Sequence, residues 1–195
     1  MKVRPRLSSG AAWGAVALWV PYTLLNTRFP GPALTYTLGL ILAVLALGLL
    51  WLGGLPPRAY YLRRAPLSWQ GAAILGVMLL FIPAALLLGR GQPFDPRADL
   101  LYAPASALAQ ELYFRSALLV ALLHLCQGRR RDALLLQACG FALWHVRAFE
   151  VVDIAPAAAV LLVTFVAGAL WGAQVLRDHT VLYAIAEHAL FLIAQ

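Results

Sequence analysis

Five side chains carry the chemistry that this sequence can offer: Gln110, Glu111, Arg115, His145 and His188. Glu111 and Arg115 are four residues apart, so on a helix the carboxylate and the guanidinium share one face, one turn from each other. A carboxylate and an imidazole together can hold a water, remove its proton and return a proton to a leaving group. A second imidazole can donate to a developing oxyanion. Glu111, His145 and His188 are also a catalytic zinc set. Serine chemistry is disfavoured: Ser106 and Ser116 lie near Glu111, but no Gly-x-Ser-x-Gly elbow surrounds either.

These residues sit inside apolar runs. The chain has 195 residues, 63% hydrophobic and only 12% charged, with a mean hydropathy of +0.80. Soluble domains hold an apolar share of about 45–50%, so the composition describes an all-α, polytopic membrane bundle. Ionisable groups at membrane depth are costly, turn inward and are functional-site candidates by default. The net charge of +7 does not indicate nucleic acid, because the arginines stand in short clusters between apolar runs, where they meet lipid head groups.

Seven segments can be drawn, each near the ~20 residues that cross a bilayer. They run over Ala11–Asn26, Ala33–Leu55, Gly71–Gly89, Ala98–Gln127, Ala133–Phe149, Ala155–Leu176 and Thr180–Ala194, separated by turn signals such as Phe29-Pro30-Gly31-Pro32, Leu55-Pro56-Pro57 and Gln92-Pro93-Phe94-Asp95-Pro96. Pro21 and Pro83 fall within segments and predict kinks. Numbering the loops alternately puts Lys2, Arg4, Arg6, Arg58, Arg63, Arg64, Arg129, Arg130, Arg131 and Arg177 on one side. Arg28, Arg90, Arg97 and Arg147 fall on the other. Ten against four sets the N-terminus in the cytoplasm. The basic start, Met1 to Arg6, resembles a signal peptide without a cleavage site and is read as a retained anchor. Arg58 to Trp69 mixes basic and aromatic residues, as an interfacial anchor does; a substrate-docking or lipid-reading element is the less ordinary alternative. Cys126 and Cys139 are expected to be buried free thiols.

Polar residues concentrate in the second half. The fourth segment holds Gln110, Glu111 and Arg115, the fifth Gln137 and His145, the sixth Gln174, the seventh Glu187 and His188. The domain reading is therefore a single membrane domain over 1–195, with three peripheral helices and loops in 1–97 and a four-helix catalytic-type core in 98–195. At 1.5 Å per residue, Glu111, His145 and His188 fall in the middle band of a ~30 Å hydrocarbon core. His124 and His179 lie at segment ends. Glu187 is about 100° around its helix from His188 and is expected to pair with Arg115 or Gln174, or to face a neighbouring helix.

Gln110-Glu111-Leu112-Tyr113-Phe114-Arg115, then Phe141-Ala142-Leu143-Trp144-His145, then His188-Ala189-Leu190-Phe191 resemble the three ordered motifs of the CPBP family of membrane proteases. That family includes CAAX prenyl proteases, bacteriocin-processing enzymes and Abi proteins, with motifs EExxxR, FxxxH and HxxxN. The resemblance covers about residues 98–195. It implies an intramembrane endopeptidase in which Glu111 and His145 activate water, His188 stabilises the oxyanion and Arg115 is the motif arginine. The sequence departs twice: Gln110 replaces the first glutamate, and an amide cannot take a proton at neutral pH; Leu192 replaces the asparagine.

The expected function is thus hydrolysis of a peptide bond near the membrane in a tail, sorting-signal or leader substrate, in a bacterial inner membrane. The partners are a membrane protein or peptide and the lipid bilayer. No metal is expected, because Arg115 would place a cation beside it; zinc on Glu111, His145 and His188 is the alternative. An immunity or scaffold protein binding a membrane partner is a rival from another class, supported by Gln110 and Leu192. A proton-coupled carrier is a weaker third, since no inverted repeat is visible.

Overall fold

The computed structural model describes residues 7–28, 32–80, 82–83 and 95–194. Lys2, Arg4, Arg6 and Arg90, the turn residues Phe29 to Gly31 and Gln92 to Phe94, and most of the stretch from 81 to 89 lie outside them. Among the described residues the ordered elements are helical: α1 (Ser9–Ala17), α2 (Trp19–Arg28), α3 (Pro32–Leu52), α4 (Trp69–Leu79), α5 (Ala98–Leu125), α6 (Arg130–Trp144), α7 (Ala148–Val151), α8 (Ile154–Asp178) and α9 (Leu182–Ile193).

Two prolines set two of the boundaries. A proline removes one N–H and its ring collides with the carbonyl four residues earlier. Pro21 lies four residues after Ala17, where α1 ends, and Pro83 four after Leu79, where α4 ends. The first predicted segment is accordingly split into α1 and α2. The fifth differs too: its helix starts at Arg130 and stops at Trp144, and a turn through His145 leads into α7.

Three helices are long and apolar enough to cross a membrane by length and composition: the stretch Leu34–Leu52 of α3, α5 and α8. Their environments differ. In the apolar window of α5 83% of residues are buried, against 28% in α3 and 22% in α8. The middle of the bundle is therefore α5, with α3 and α8 turning Ile41, Val44, Leu45, Leu162 and Val163 outward. Around α5, α9 lies on its N-terminal half, α3 on its middle and α1 on its C-terminal end, while α6 packs along α8.

The α6–α8 contact rests on Gly168 and Gly172, a small-xxx-small pair that lets two helices approach closely. A Cβ at Gly168 would lie 3.2 Å from the Cα of Ala138 and 3.1 Å from Cδ1 of Phe141; one at Gly172 would lie 2.7 Å from Oε1 of Gln137. Within α5, two stretches, Ala98–Tyr102 and Leu112–Leu118, widen into π-type turns. Such i→i+5 turns are rare and favour functional sites. The second begins directly after Glu111 and contains Arg115.

Two sets of contacts mark opposite ends of the bundle. The Ser8 amide donates to the carbonyl of Gly53 at 2.9 Å, bringing the start of α1 to the end of α3. At the other end Asn26 Nδ2 donates to the Trp144 carbonyl at 2.8 Å, and Arg147 Nη1 to the Asn26 carbonyl at 3.1 Å. Both cysteines are free, but only Cys126 is buried. Cys139 stands on the outer face of α6 and is exposed, against the sequence expectation.

Candidate active site

Glu111 closes the α-helical stretch Ala103–Glu111 and has no exposed surface. Its Oε1 receives two partners: Arg115 Nη1 at 3.1 Å, one turn on, and His188 Nδ1 at 2.8 Å from α9. The arginine approach has the distance of an ion pair without the alignment of a hydrogen bond, and Nε, Nη1 and Nη2 find no acceptor. Glu111 Oε2 has no partner either. One carboxylate oxygen is thus held by two groups, and the other keeps its lone pairs.

Aromatic faces surround the cation. The Arg115 guanidinium carbon lies 4.1 Å from the Phe141 ring centroid, 5.3 Å from Trp171 and 5.9 Å from Phe114. A guanidinium over an aromatic face gains about 0.5–2 kcal/mol, most when desolvated. Phe114 meets Phe141 edge to face at 5.1 Å, and Tyr22 from α2 stacks on Tyr113 at 4.5 Å. Trp19 Nε1 donates to the Gly140 carbonyl at 3.0 Å and Trp144 Nε1 to the Tyr22 carbonyl at 3.2 Å, so two indoles tie α2 to α6.

His145 caps α6 and is partly buried. Its Nδ1 lies 2.9 Å from the Phe141 carbonyl. A carbonyl only accepts, so Nδ1 carries the proton in that bond and Nε2 of the neutral ring is a bare acceptor. The ring meets Phe141 edge to face at 5.0 Å and is within electrostatic reach of His188 and Arg115. For His188, the carboxylate partner likewise places the proton on Nδ1.

Two further residues join this group. The Trp171 ring stacks on His188 at 4.6 Å and 23°, and its Nε1 donates to Glu187 Oε2 at 2.7 Å. Glu187 therefore faces α8, not Arg115 or Gln174, and reaches His188 through the indole between them. Sequence reasoning passed over Trp171; the Gly168-x-x-x-Gly172 spacing around it was the available signal. Gln137, fully buried one turn before Phe141, finds no partner for either side-chain polar atom.

Gln110 parts from its neighbour. Its Nε2 donates to Ser106 Oγ at 2.7 Å, and it lines a small cleft with Tyr22, Thr35, Tyr36 and Trp144. The structure thus brings Glu111, Arg115, His188 and the FxxxH phenylalanine into contact, sets His145 against that phenylalanine, and turns Gln110 towards α2 and α3. Among the described residues no group of three or more His, Cys, Asp or Glu is placed to hold a metal ion.

The family described as Rce1-like, type II CAAX prenyl endopeptidase Rce1-like, matches residues 97–193. The matched stretch starts one residue before α5 and ends with α9, so it contains all five predicted site residues. No curated protein and no solved structure matches the chain.

Proposed function

Residues 97–193 belong to a family of type II CAAX prenyl endopeptidases, and on that footing we propose that this chain hydrolyses a peptide bond near the membrane boundary of a tail, sorting-signal or leader substrate. It is an integral membrane protein of a protease family. Its placement in a bacterial inner membrane with the N-terminus in the cytoplasm belongs to the same proposal, as does the role of residues 98–195 as the catalytic-type core.

The observation that carries this reading is the division of labour within one carboxylate. Arg115 and His188 hold Glu111 Oε1, and Oε2 is left with free lone pairs. In the proposed step a water lies between Glu111 Oε2 and His145 Nε2. Its oxygen attacks the scissile carbonyl carbon while Oε2 takes its proton. The imidazolium form of His188, its Nδ1–H on Glu111 Oε1, donates from Nε2 to the oxyanion. The carbon–nitrogen bond then breaks and the proton moves from Glu111 to the leaving amine, giving a carboxylic acid and an amine. No metal takes part in the steps proposed.

One observation favours a second reading, a binding protein of the same family without activity. Glu111 is fully buried, so a substrate reaches it only if a neighbouring helix moves aside. Gln110, meanwhile, is committed to Ser106.

The test compares the purified protein with its Glu111→Ala and Gln110→Glu variants against a panel of membrane-tail peptides. Glu111 as base predicts cleavage by the unaltered protein and a loss of about 10²–10⁴-fold or more in Glu111→Ala. Cleavage that appears only in Gln110→Glu means a decayed site. Silence from all three selects the binding protein.

A further inference from the structure

At the end of the bundle where α3, α5 and α8 finish, an open cavity of about 540 Å³ lies between the segment that follows α3 and the α8–α9 turn. That volume is within the ≈ 300–1,000 Å³ of small-molecule sites. It is separate from the Glu111 cluster and lined by none of its residues. Its polar lining is Arg58, Arg63, Tyr61, His124 and His179, with no acidic residue among them, and its floor is apolar, from Leu7, Leu55, Val120 and Leu123.

Both rims are held in an unusual backbone. Tyr61 has φ 59° and His179 φ 55°, left-handed conformations that non-glycine residues hold only when their surroundings over-determine them. Here the Val181 amide donates to the Tyr61 carbonyl at 2.9 Å, Arg63 Nε to the His179 carbonyl at 3.4 Å, and the two rings stack at 5.9 Å. Arg130 lies within electrostatic reach of Tyr61 and adds a further positive charge; burial nonetheless pushes the Tyr61 hydroxyl up, so it remains a donor. Leu62, Leu67 and Trp69 of the same segment are exposed, Trp69 by 76%. An exposed indole and leucines beside arginines mark the head-group level of a bilayer.

We propose that this cavity binds the phosphate of an anionic phospholipid head group, with the guanidinium groups of Arg58 and Arg63 on the phosphate and the lipid chain along Leu7, Leu55, Val120 and Leu123. Arginine presents a planar fork of donors matched to phosphate oxygens. The apolar floor and the exposed Trp69 favour a lipid over a free phosphate. The site stands apart from the proposed peptidase chemistry and does not depend on it.

The experiment uses the full chain in detergent, titrated with phosphatidylglycerol, phosphatidylcholine or inorganic phosphate and read by native mass spectrometry. Tight binding of phosphatidylglycerol over phosphatidylcholine is expected. Each of Arg58→Ala and Arg63→Ala should weaken it about fivefold and the pair about thirtyfold. Arg131→Ala, exposed at the same end but outside the cavity, should leave it unchanged. Leu123→Trp, which fills the floor and keeps both arginines, should also weaken it, and circular dichroism checks that each variant stays helical. Equal binding of the two lipids, or equal loss in Arg131→Ala and the arginine pair, overturns the proposal. Displacement of the lipid by millimolar inorganic phosphate overturns the lipid assignment and leaves a free-phosphate site.

Discussion

The guanidinium of Arg115 lies over the ring of Phe141, 4.1 Å from its centroid, in a site where its nitrogens meet no hydrogen-bond acceptor and one carboxylate oxygen. The positive charge is therefore held by a single anion and three aromatic faces. Shape matters here as much as sign, because only a flat cation can lie on Phe141 and still reach Glu111.

Arg115→Met removes one of the two partners of a buried carboxylate and leaves it His188 alone, a change that costs about 3–5 kcal/mol. Arg115→Lys keeps the charge and loses the planar stack, so it should fall between. Thermal unfolding in micelles should rank native, then Lys, then Met. A lysine variant as stable as the native chain would show that the ring faces add nothing.

Gly168→Val and Gly172→Val should each destabilise the bundle by about 1–3 kcal/mol, as overpacking does, by driving α6 away from α8. Gly76→Ala on α4 should do the opposite. A Cβ there meets nothing within 4 Å, and a helical Gly→Ala at a compatible site stabilises by about 0.4–1 kcal/mol. Unfolding midpoints of the three variants check both directions.

Asp178 joins two elements. Its Oδ1 accepts from the Ser68 amide at 3.2 Å and its Oδ2 from Gln174 Nε2 at 3.2 Å. Asp178→Ala leaves the Ser68 amide unmet and Gln174 Nε2 with only the Thr180 carbonyl at 3.4 Å, at about 1–3 kcal/mol for a buried group, and should expose residues 61–68 to protease. Asp178→Asn retains one acceptor and should be cut more slowly than Asp178→Ala. Equal cutting of Asp178→Ala and the native chain would remove this role.

The charge asymmetry predicts Arg64 in the cytoplasm and Asp153 outside. Single cysteines at these positions, in a chain whose Cys126 and Cys139 are changed to serine, should react with an impermeant maleimide from opposite faces of intact membranes. Labelling of position 64 from outside would invert the topology.

Much of this was legible beforehand. Pro21 and Pro83 announced the breaks at Ala17 and Leu79, because proline acts at a fixed distance along the chain. The Glu111–Arg115 pairing followed from spacing alone. What stayed hidden depends on how helices pack. Contact of His188 with Oε1, and of Glu187 with Trp171, depends on how α9 packs against α5 and α8, which residue spacing does not state. Cys139 was misplaced because an apolar neighbourhood in a membrane chain means lipid as often as protein interior.

The burial of α5 bears on how the chain is made. A charged residue at the centre of a lone helix costs roughly 2.5–3.5 kcal/mol during insertion, and α5 holds both Glu111 and Arg115. The helices α3 and α8, open to lipid over most of their apolar windows, can settle as they emerge from the ribosome. By contrast, α5 emerges before the partners of its charged pair: His188 lies 77 residues further on, and Phe141 and Trp171 also follow it. A chain halted near Arg131 would present the pair to lipid with none of them. The central helix is thus, in order of assembly, among the last to come to rest, and a nascent chain stalled at that point is the form that quality-control proteases should recognise first.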